Sequence, residues 1–573
     1  SMAYYSKDTN ICLVLDLLKA HGVKKVIASP GATNTSIVAS MQADGWFEMY
    51  SSVDERSAAY MACGLAEESG EPVVVSCTGA TASRNYFPGL TEAYYRKLPI
   101  ICITSSQNSA FIGHLYQQLT DRSVYPNDLF VAGEQVQWIK DKMDYWDCEN
   151  KINKVLLACK RNGGGPVHLN VQNNMFAIES VDQTKCRVIA RYTSEDELPQ
   201  LPSGKIGIFI SSHRKFTSEE TEIIDGFCAA YDAAVFCEKT SGYYGRYRVD
   251  FAIAGLQKQH KFKEANLDML IHIGDMTADY QTTSVLNAPI VWRVSEDGEI
   301  RVKFKHLEAV FQMKEKTFFS HYSKDTNDKK NSFVEQCRAV CDSIRENIPE
   351  LPLSNVWCAK TLAPIMPADS VVHLGILNSY RSWNLFVLPP TVHTMSNVGG
   401  FGIDGCTSTL IGASLSNPNK IHFLVTGDLA FFYDLNAIGN RHIGSNVRIL
   451  LINNGVGGEF KIWGRANKPI NVDFYIAAGG HFGNKSKDLV KHFAQDLGFE
   501  YLSASTKEEF LKVVPDFTNP MITEKPIILE VFEDVENQDK ALQLIQNILA
   551  GNVKDQICAA NNMIGKIMKK IGI

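Results

Sequence analysis

The residues best placed to do chemistry sit at the ends of two apolar runs. IHFLVTGD ends on Gly427 and Asp428, and VRILLINN ends on Asn453 and Asn454. A helix-like run lies between them, so the two runs read as strands of a right-handed crossover unit in a parallel sheet. Both polar ends then emerge at the carboxyl edge, where such sheets bind ligands. A carboxylate and an amide there offer hard oxygen donors of the kind that hold Mg2+ together with phosphate oxygens. The glycines at 427, 455, 457 and 458 allow close backbone approach. Taken alone, GD and NN at strand ends are also ordinary turn chemistry.

A second candidate lies near the N-terminus. DERSAAYMACGLAEESG places Glu55 at the start of a helix, just after a strand-like FEMYSSV. Ser57, Ala58, Ala59, Ala62 and Gly64 let that helix approach other backbone closely. The simpler role for Glu55 is to stabilise the helix N-terminus through its dipole. His114 is a lone histidine near Gln117 and Gln118, and fits an acid–base role and a hydrogen-bonded structural role equally.

The elements that must position these residues are strands buried on both faces and separated by helices. In the first region KVIASPG, PVVVSCTG and LPIICITS read as strands, with a helix from Ala80 through Tyr95. KIGIFIS, AAVFCEK, LDMLIHIGD and PIVWRVS repeat the pattern after a polar stretch, TSEDELPQLPSG, that reads as a linker. The charged run at 314–330 reads as a surface loop or a second linker, and the tail from Asn537 as an amphipathic helix. Such alternation indicates an α/β protein with three doubly wound parallel-sheet domains, at 1–185, 186–345 and 346–573. The central glycines do not form GxGxxG, so no dinucleotide site is supported there.

With 573 residues, the chain is long enough for several domains. Hydrophobic residues at 45% and charged residues at 21% are ordinary for a soluble globular protein. A net charge of -6 gives no electrostatic case for nucleic acid, and no apolar run is long enough to span a membrane. The fourteen cysteines are scattered without a CxxC pair, and Cys337 and Cys341 are spaced as helix neighbours in a core. No signal-like segment leads the sequence, and the initial Ser-Met reads as a cloning remnant. These features together lead us to expect reduced thiols in a cytoplasmic protein.

Glu55 in an ExxAAxxAxG helix, paired with a distal GD…NN unit, resembles the thiamine diphosphate (ThDP)-dependent 2-oxo acid decarboxylase and carboligase superfamily. The resemblance extends over most of the chain to the menaquinone-pathway SEPHCHC synthases, which join 2-oxoglutarate to isochorismate. It is carried by SPGATNTSI, DERSAAYMACGLA, SCTGATASRNYFPGLTEA, ILNSYRSWNLF, SNVGGFGIDGCTST and GDLAFFYDLNAI. It implies the three domains named above: pyrimidine-binding, central and diphosphate-binding. It also implies ThDP and Mg2+ as cofactors. By that match Asp428, Asn454 and the Val456 carbonyl are Mg2+ ligands. Ser379, Gly402, Gly427, Leu429 and Ala430 contact the cofactor, and Ile403 wedges beneath it. Glu55 hydrogen-bonds N1′ of the aminopyrimidine and so promotes loss of the thiazolium C2 proton. Gln117 or Gln118 reaches toward the reaction centre, and Glu459 lies where relatives place a polar group over the thiazolium. The same match implies a homodimer or homotetramer with the active site at the subunit interface.

The departures fall on substrate positions. Arginines of the SEPHCHC synthases are replaced by Thr33, Val398 and Trp383, although Arg381 lies close to the last of these. Guanidinium forks hold carboxylates in bidentate pairs, so their loss weakens the case for a dicarboxylic acceptor. Arg84 stands where that family has a small residue, as a new anion contact or a surface ion pair. We therefore expect retained cofactor chemistry, with a 2-oxo acid donor, an acceptor, or both, different from theirs. SEPHCHC synthase proper, a simple 2-oxo acid decarboxylase, an acetolactate-synthase-like enzyme and an inactive scaffold of the same fold remain the alternatives. The absence of an adjacent His-His pair mildly favours carboligation over aldehyde release.

Overall fold

The computed structural model describes residues 4–119, 124–174, 178–180, 186–258, 260–324, 329–463, 470–481 and 485–550. Three parallel sheets with flanking helices make up an α/β architecture, in two compact units. The first unit comprises 1–196 with 297–302 and 306–312, and the second holds the rest.

In the first unit, β1 (Lys25–Ala28), β2 (Glu48–Ser51), α1 (Glu55–Ser69), β3 (Val73–Thr78), β4 (Ile100–Ser106), β5 (Ala132–Val136) and β6 (Val167–Gln172) follow in chain order. The sheet runs β2-β1-β3-β4-β6-β5. The near-continuous Val/Ile content of β3 and β4 matches their burial on both faces. Helix α1 packs so closely on the helix Phe87–Arg96 that a Cβ on Gly89 would stand 2.5 Å from the Cβ of Ala59. The expected helix from Ala80 through Tyr95 is instead two helices, Thr81–Asn85 and Phe87–Arg96. Pro88 lacks an N–H and its ring crowds the carbonyl four residues back, so it fits only the first turn of a new helix. Ala190–Thr193 also belongs to this unit, paired in parallel with Leu307–Gln312.

In the second unit, β7 (Ile206–Ile210), β8 (Ala234–Cys237), β9 (Arg248–Val249), β10 (Met269–Ile273) and β11 (Ile290–Val294) run in the order β9-β8-β7-β10-β11. The 314–330 stretch is not simply a loop. Glu315–Tyr322 is a helix that buries Phe318, Phe319 and Tyr322, apolar positions that the surrounding charge obscures in the sequence.

The third sheet contains β12 (Val371–Leu374), α2 (Asn378–Asn384), β13 (His393–Ser396), α3 (Cys406–Ser416), β14 (His422–Gly427), α4 (Asp428–Tyr433), β15 (Val447–Asn453), β16 (Glu500–Ala504), β17 (Ile527–Phe532) and α5 (Val535–Gln546). Its order is β13-β12-β14-β15-β17-β16. The crossover from β14 to β15 is parallel, as expected, but α4 is short and is continued by a 3-10 turn at Leu435–Gly439. The chain after residue 550, including most of the expected helical tail, lies outside the described residues.

Candidate active site

Three neighbouring strands of the third sheet end together. β14 is followed by Asp428, β15 by Asn454 and β17 by Glu533. The pairing of Gly427 with Ile452, and of Asn453 with Phe532, sets the three ends side by side. Asp428 is 6% exposed, and backbone N–H groups of Asn454, Gly455 and Leu429 point at its carboxylate. Burial pushes its pKa up to about 7 against the pull of those N–H groups. Asn454 accepts from the Val456 N–H at 3.2 Å and donates to Glu533 at 3.3 Å. Glu533 also accepts from the Asn355 N–H at 2.7 Å, and burial, with Asp428 nearby, pushes it up to about 8. Asn355 donates in turn to the Ser379 hydroxyl at 3.1 Å.

This chemistry fits a divalent cation and a diphosphate. A buried carboxylate without a cation beside it is costly, and an adjacent metal ion would restore its charged form. The donors are hard oxygens. The loop that follows passes close under the amides: a Cβ on Gly458 would stand 3.0 Å from the Asn378 amide nitrogen and 3.2 Å from that of Asn454. A cavity of about 560 Å³ opens beside Asn454, with Lys485, Ser486, Lys487 and Ser505 among its walls. Glu533 and these lysines were not read from the sequence. An acid after a strand is routine, and only the β15–β17 pairing shows which amide it orients.

Gly427, Leu429, Ala430 and Val456 flank Asp428 and Asn454 along the chain. Gly402 and Ile403 lie in the loop before α3, just after Phe401, which adopts the left-handed conformation (φ 57°). Arg381, expected near a substrate carboxylate, and Glu459, expected over the thiazolium, form an ion pair with each other, and both side chains are largely buried. The Arg381 guanidinium also lies 5.7 Å from the centre of the Tyr280 ring. Val398 is buried at 4% exposure, and Trp383 is buried in α2.

In the first unit, Glu55 is the half-buried first residue of α1. The helix cap is Asp54, whose carboxylate accepts from the Arg56 and Ser57 N–H groups. Glu55 lies in the first turn beside that cap, where its charge also favours the helix dipole. Thr33 is buried in the turn after β1, and its hydroxyl lacks a hydrogen-bond partner among the described residues. Its neighbour Asn34, unread in the sequence, knits the strand ends: it donates to the Ser29 carbonyl and accepts from the Ser76 and Ser105 hydroxyls. Arg84 is exposed and lies over Phe87, with 5.4 Å to the ring centre. His114, Gln117 and Gln118 occupy an exposed loop in which Phe111 stacks on Tyr116 at 4.3 Å.

Residues 12–124 match the family described as thiamine pyrophosphate enzyme, N-terminal TPP binding domain. This match supports placing the chain among the thiamine diphosphate-dependent enzymes. Its cofactor is thiamine diphosphate. Several relatives match nearly end to end. The 2-succinyl-5-enolpyruvyl-6-hydroxy-3-cyclohexene-1-carboxylate synthase of Bacteroides fragilis is 29% identical over 551 residues, 93% of this chain and 98% of that protein. The protein of the same name from Bacteroides thetaiotaomicron is 28% identical over 93% of this chain and 97% of its own length. The one from Desulfotalea psychrophila is 25% identical over 91% and 97%. Among solved structures, a thiamine diphosphate-dependent 4-hydroxybenzoylformate decarboxylase from Rhodococcus jostii is 14% identical, with a TM-score of 0.39, over 92% of this chain and 99% of that one. Among the described residues no helix is long and apolar enough to cross a membrane.

Proposed function

We propose that this ThDP enzyme also requires Mg2+, decarboxylates a 2-oxo acid and joins the remaining acyl unit to an acceptor that differs from that of the SEPHCHC synthases. The observation that carries the reading is the cluster of Asp428, Asn454 and Glu533 at three adjacent strand ends. Asp428, the Asn454 side chain and the Val456 carbonyl would hold the metal. Ser379, Gly402, Gly427, Leu429 and Ala430 would line the cofactor, with Ile403 beneath it. When bound, thiamine diphosphate supplies the electron sink that makes loss of CO2 from a 2-oxo acid feasible. Glu55 would hold a proton at N1′ of the aminopyrimidine, a task for which its unpartnered carboxylate is suited. Gln117, Gln118 and His114 would meet the substrate from their exposed loop, and Arg84 would remain a surface group.

The substrate inference rests on what stands at the former arginine positions. Thr33, Val398 and Trp383 are buried and uncharged. Arg381 is held by Glu459 and must leave it to bind a substrate carboxylate, which suits a substrate with fewer carboxylates. The test is a panel of 2-oxo acids scored for CO2 release with and without added acceptors. Turnover of one acid only when an acceptor is present supports carboligation. Efficient aldehyde release from every active acid sinks it. A second reading, SEPHCHC synthase itself, is favoured by the full-length similarity to proteins of that name. Product formation from isochorismate and 2-oxoglutarate would establish it.

The active form is taken to be a homodimer or homotetramer in which Glu55 serves a partner's cofactor. In support, Tyr50, Val53, Tyr60 and Met61, close to Glu55 in sequence, are all exposed. Sedimentation showing only monomer in the active sample would refute it. The thirteen described cysteines form no disulfide, in keeping with a cytoplasmic setting.

A further inference from the structure

A cavity of about 420 Å³ opens within the first unit, and none of the residues lining it is assigned above to cofactor or substrate. Three segments bring cations to its wall. Lys97 ends the helix Phe87–Arg96, Arg161 begins the turn after the helix Lys142–Ala158, and Arg191 lies in the strand Ala190–Thr193. The turn is folded tightly onto the first of these segments: a Cβ on Gly164 would stand 3.0 Å from the Lys97 carbonyl oxygen. The Lys97 side chain runs along the same turn, its Nζ 3.4 Å from where a Cβ on Gly163 would stand. The other side of the cavity is apolar, with Tyr94, Val131, Leu157 and Ile300 among its walls.

The fold leaves these cations short of partners. Arg161 gives one terminal nitrogen to Glu299, which also lines the cavity, but its buried Nε has no hydrogen-bond partner among the described residues. The buried Nη1 of Arg191 has none either. Asp196, an acid near Arg191, accepts instead from the N–H and hydroxyl of Thr193, at 2.6 and 2.9 Å. A fourth lining cation, Lys154, is paired with Glu134 at 2.9 Å. Native folds leave few buried donors unsatisfied, and a buried guanidinium without an anion is costly. Burial and the like charge of Arg161 disfavour the charged form of Arg191, a cost that a bound anion removes. Lys97, Arg161 and Arg191 face one lining carboxylate, Glu299, which leaves two positive charges to balance. That is the charge of a phosphate monoester above its second pKa of about 6. Guanidinium forks match phosphate oxygens, and the volume admits a ring-sized organic body.

We propose that this cavity is a binding site for a small phosphate monoester. Lys97, Arg161 and Arg191 hold the phosphate, and the organic part lies against the apolar wall. The site is separate from the cofactor's diphosphate site, which belongs to the other compact unit.

The test is calorimetric titration of the full chain with phenyl phosphate at about pH 7.5, where the probe is a dianion. The protein is first saturated with thiamine diphosphate and Mg2+, which keeps the probe out of the cofactor site. Phenyl phosphate should bind once per chain. Benzoate, with the same ring and one charge fewer, should bind at least about tenfold more weakly, and so should inorganic phosphate, which lacks the ring. Arg191→Gln should weaken phenyl phosphate binding about tenfold or more, as loss of a charge-assisted contact does, with ThDP affinity unchanged. Lys97→Ala, at an exposed position, should act in the same direction and carries the test alone if Arg191→Gln does not fold. Absence of saturable binding, benzoate binding as tightly as phenyl phosphate, or wild-type affinity in either folded variant overturns the proposal.

Discussion

The carboxyl edge of the third sheet and the start of α1, proposed above to carry the two halves of the cofactor chemistry, are built in opposite ways. Asp428, Asn454 and Glu533 are packed, hydrogen-bonded and shifted by burial toward their neutral forms. Glu55 stands half-buried in the first turn beside the cap Asp54, with its carboxylate unpartnered among the described residues. The contrast teaches that, on the proposed reading, one half is a buried polar cluster suited to a cation. The other is a single reactive group kept free of internal partners.

The largest effect expected from breaking this contrast is at Glu55. Glu55→Gln should slow H/D exchange at the cofactor C2 by about 10²–10⁴, the usual worth of a positioned acid–base group, while leaving ThDP affinity within about threefold. Unchanged exchange removes Glu55 from that role. Asp428→Ala should do the reverse. ThDP affinity should drop about a hundredfold, or about 2.7 kcal/mol, because a metal site held by few protein ligands loses its charged one. An affinity equal to wild type takes Asp428 out of the metal site.

A third test uses acid. His373 and His422 are buried in β12 and β14, and burial lowers them to about 3 and about 4. Their folded-state values lie below the unfolded value, so the unfolded chain binds more protons below about pH 6.5 and stability falls as pH drops. At pH 5 His373 alone should cost roughly 2 kcal/mol. His373→Leu should flatten the loss of Tm between pH 7 and pH 5, and a slope identical to wild type contradicts the assignment. The smallest effect belongs to Glu533. On the proposed reading it orients Asn454 and is not itself a ligand, so Glu533→Gln should weaken Mg2+-dependent ThDP binding about tenfold. An effect as large as that of Asp428→Ala would make Glu533 a direct ligand.

Much of this was legible in the sequence because the signals were local. Apolar runs such as VVVSCT and VRILLIN declare strands buried on both faces, and GD and NN mark where two of them end. What stayed hidden depended on neighbours distant in the chain. Glu533 acquires meaning only when β17 lies beside β15. Arg381 and Glu459 each look like substrate contacts until the fold pairs them. The helix at Glu315–Tyr322 was masked by charge, and Pro88 divided a helix whose apolar spacing looked continuous.

The most direct test of the central claim is calorimetric titration of the metal-free protein with thiamine diphosphate, with and without Mg2+. The account expects binding that is strong with Mg2+ and at least about tenfold weaker without it, since Asp428 is left uncompensated. Equal affinity under both conditions, or no binding in either, would contradict it.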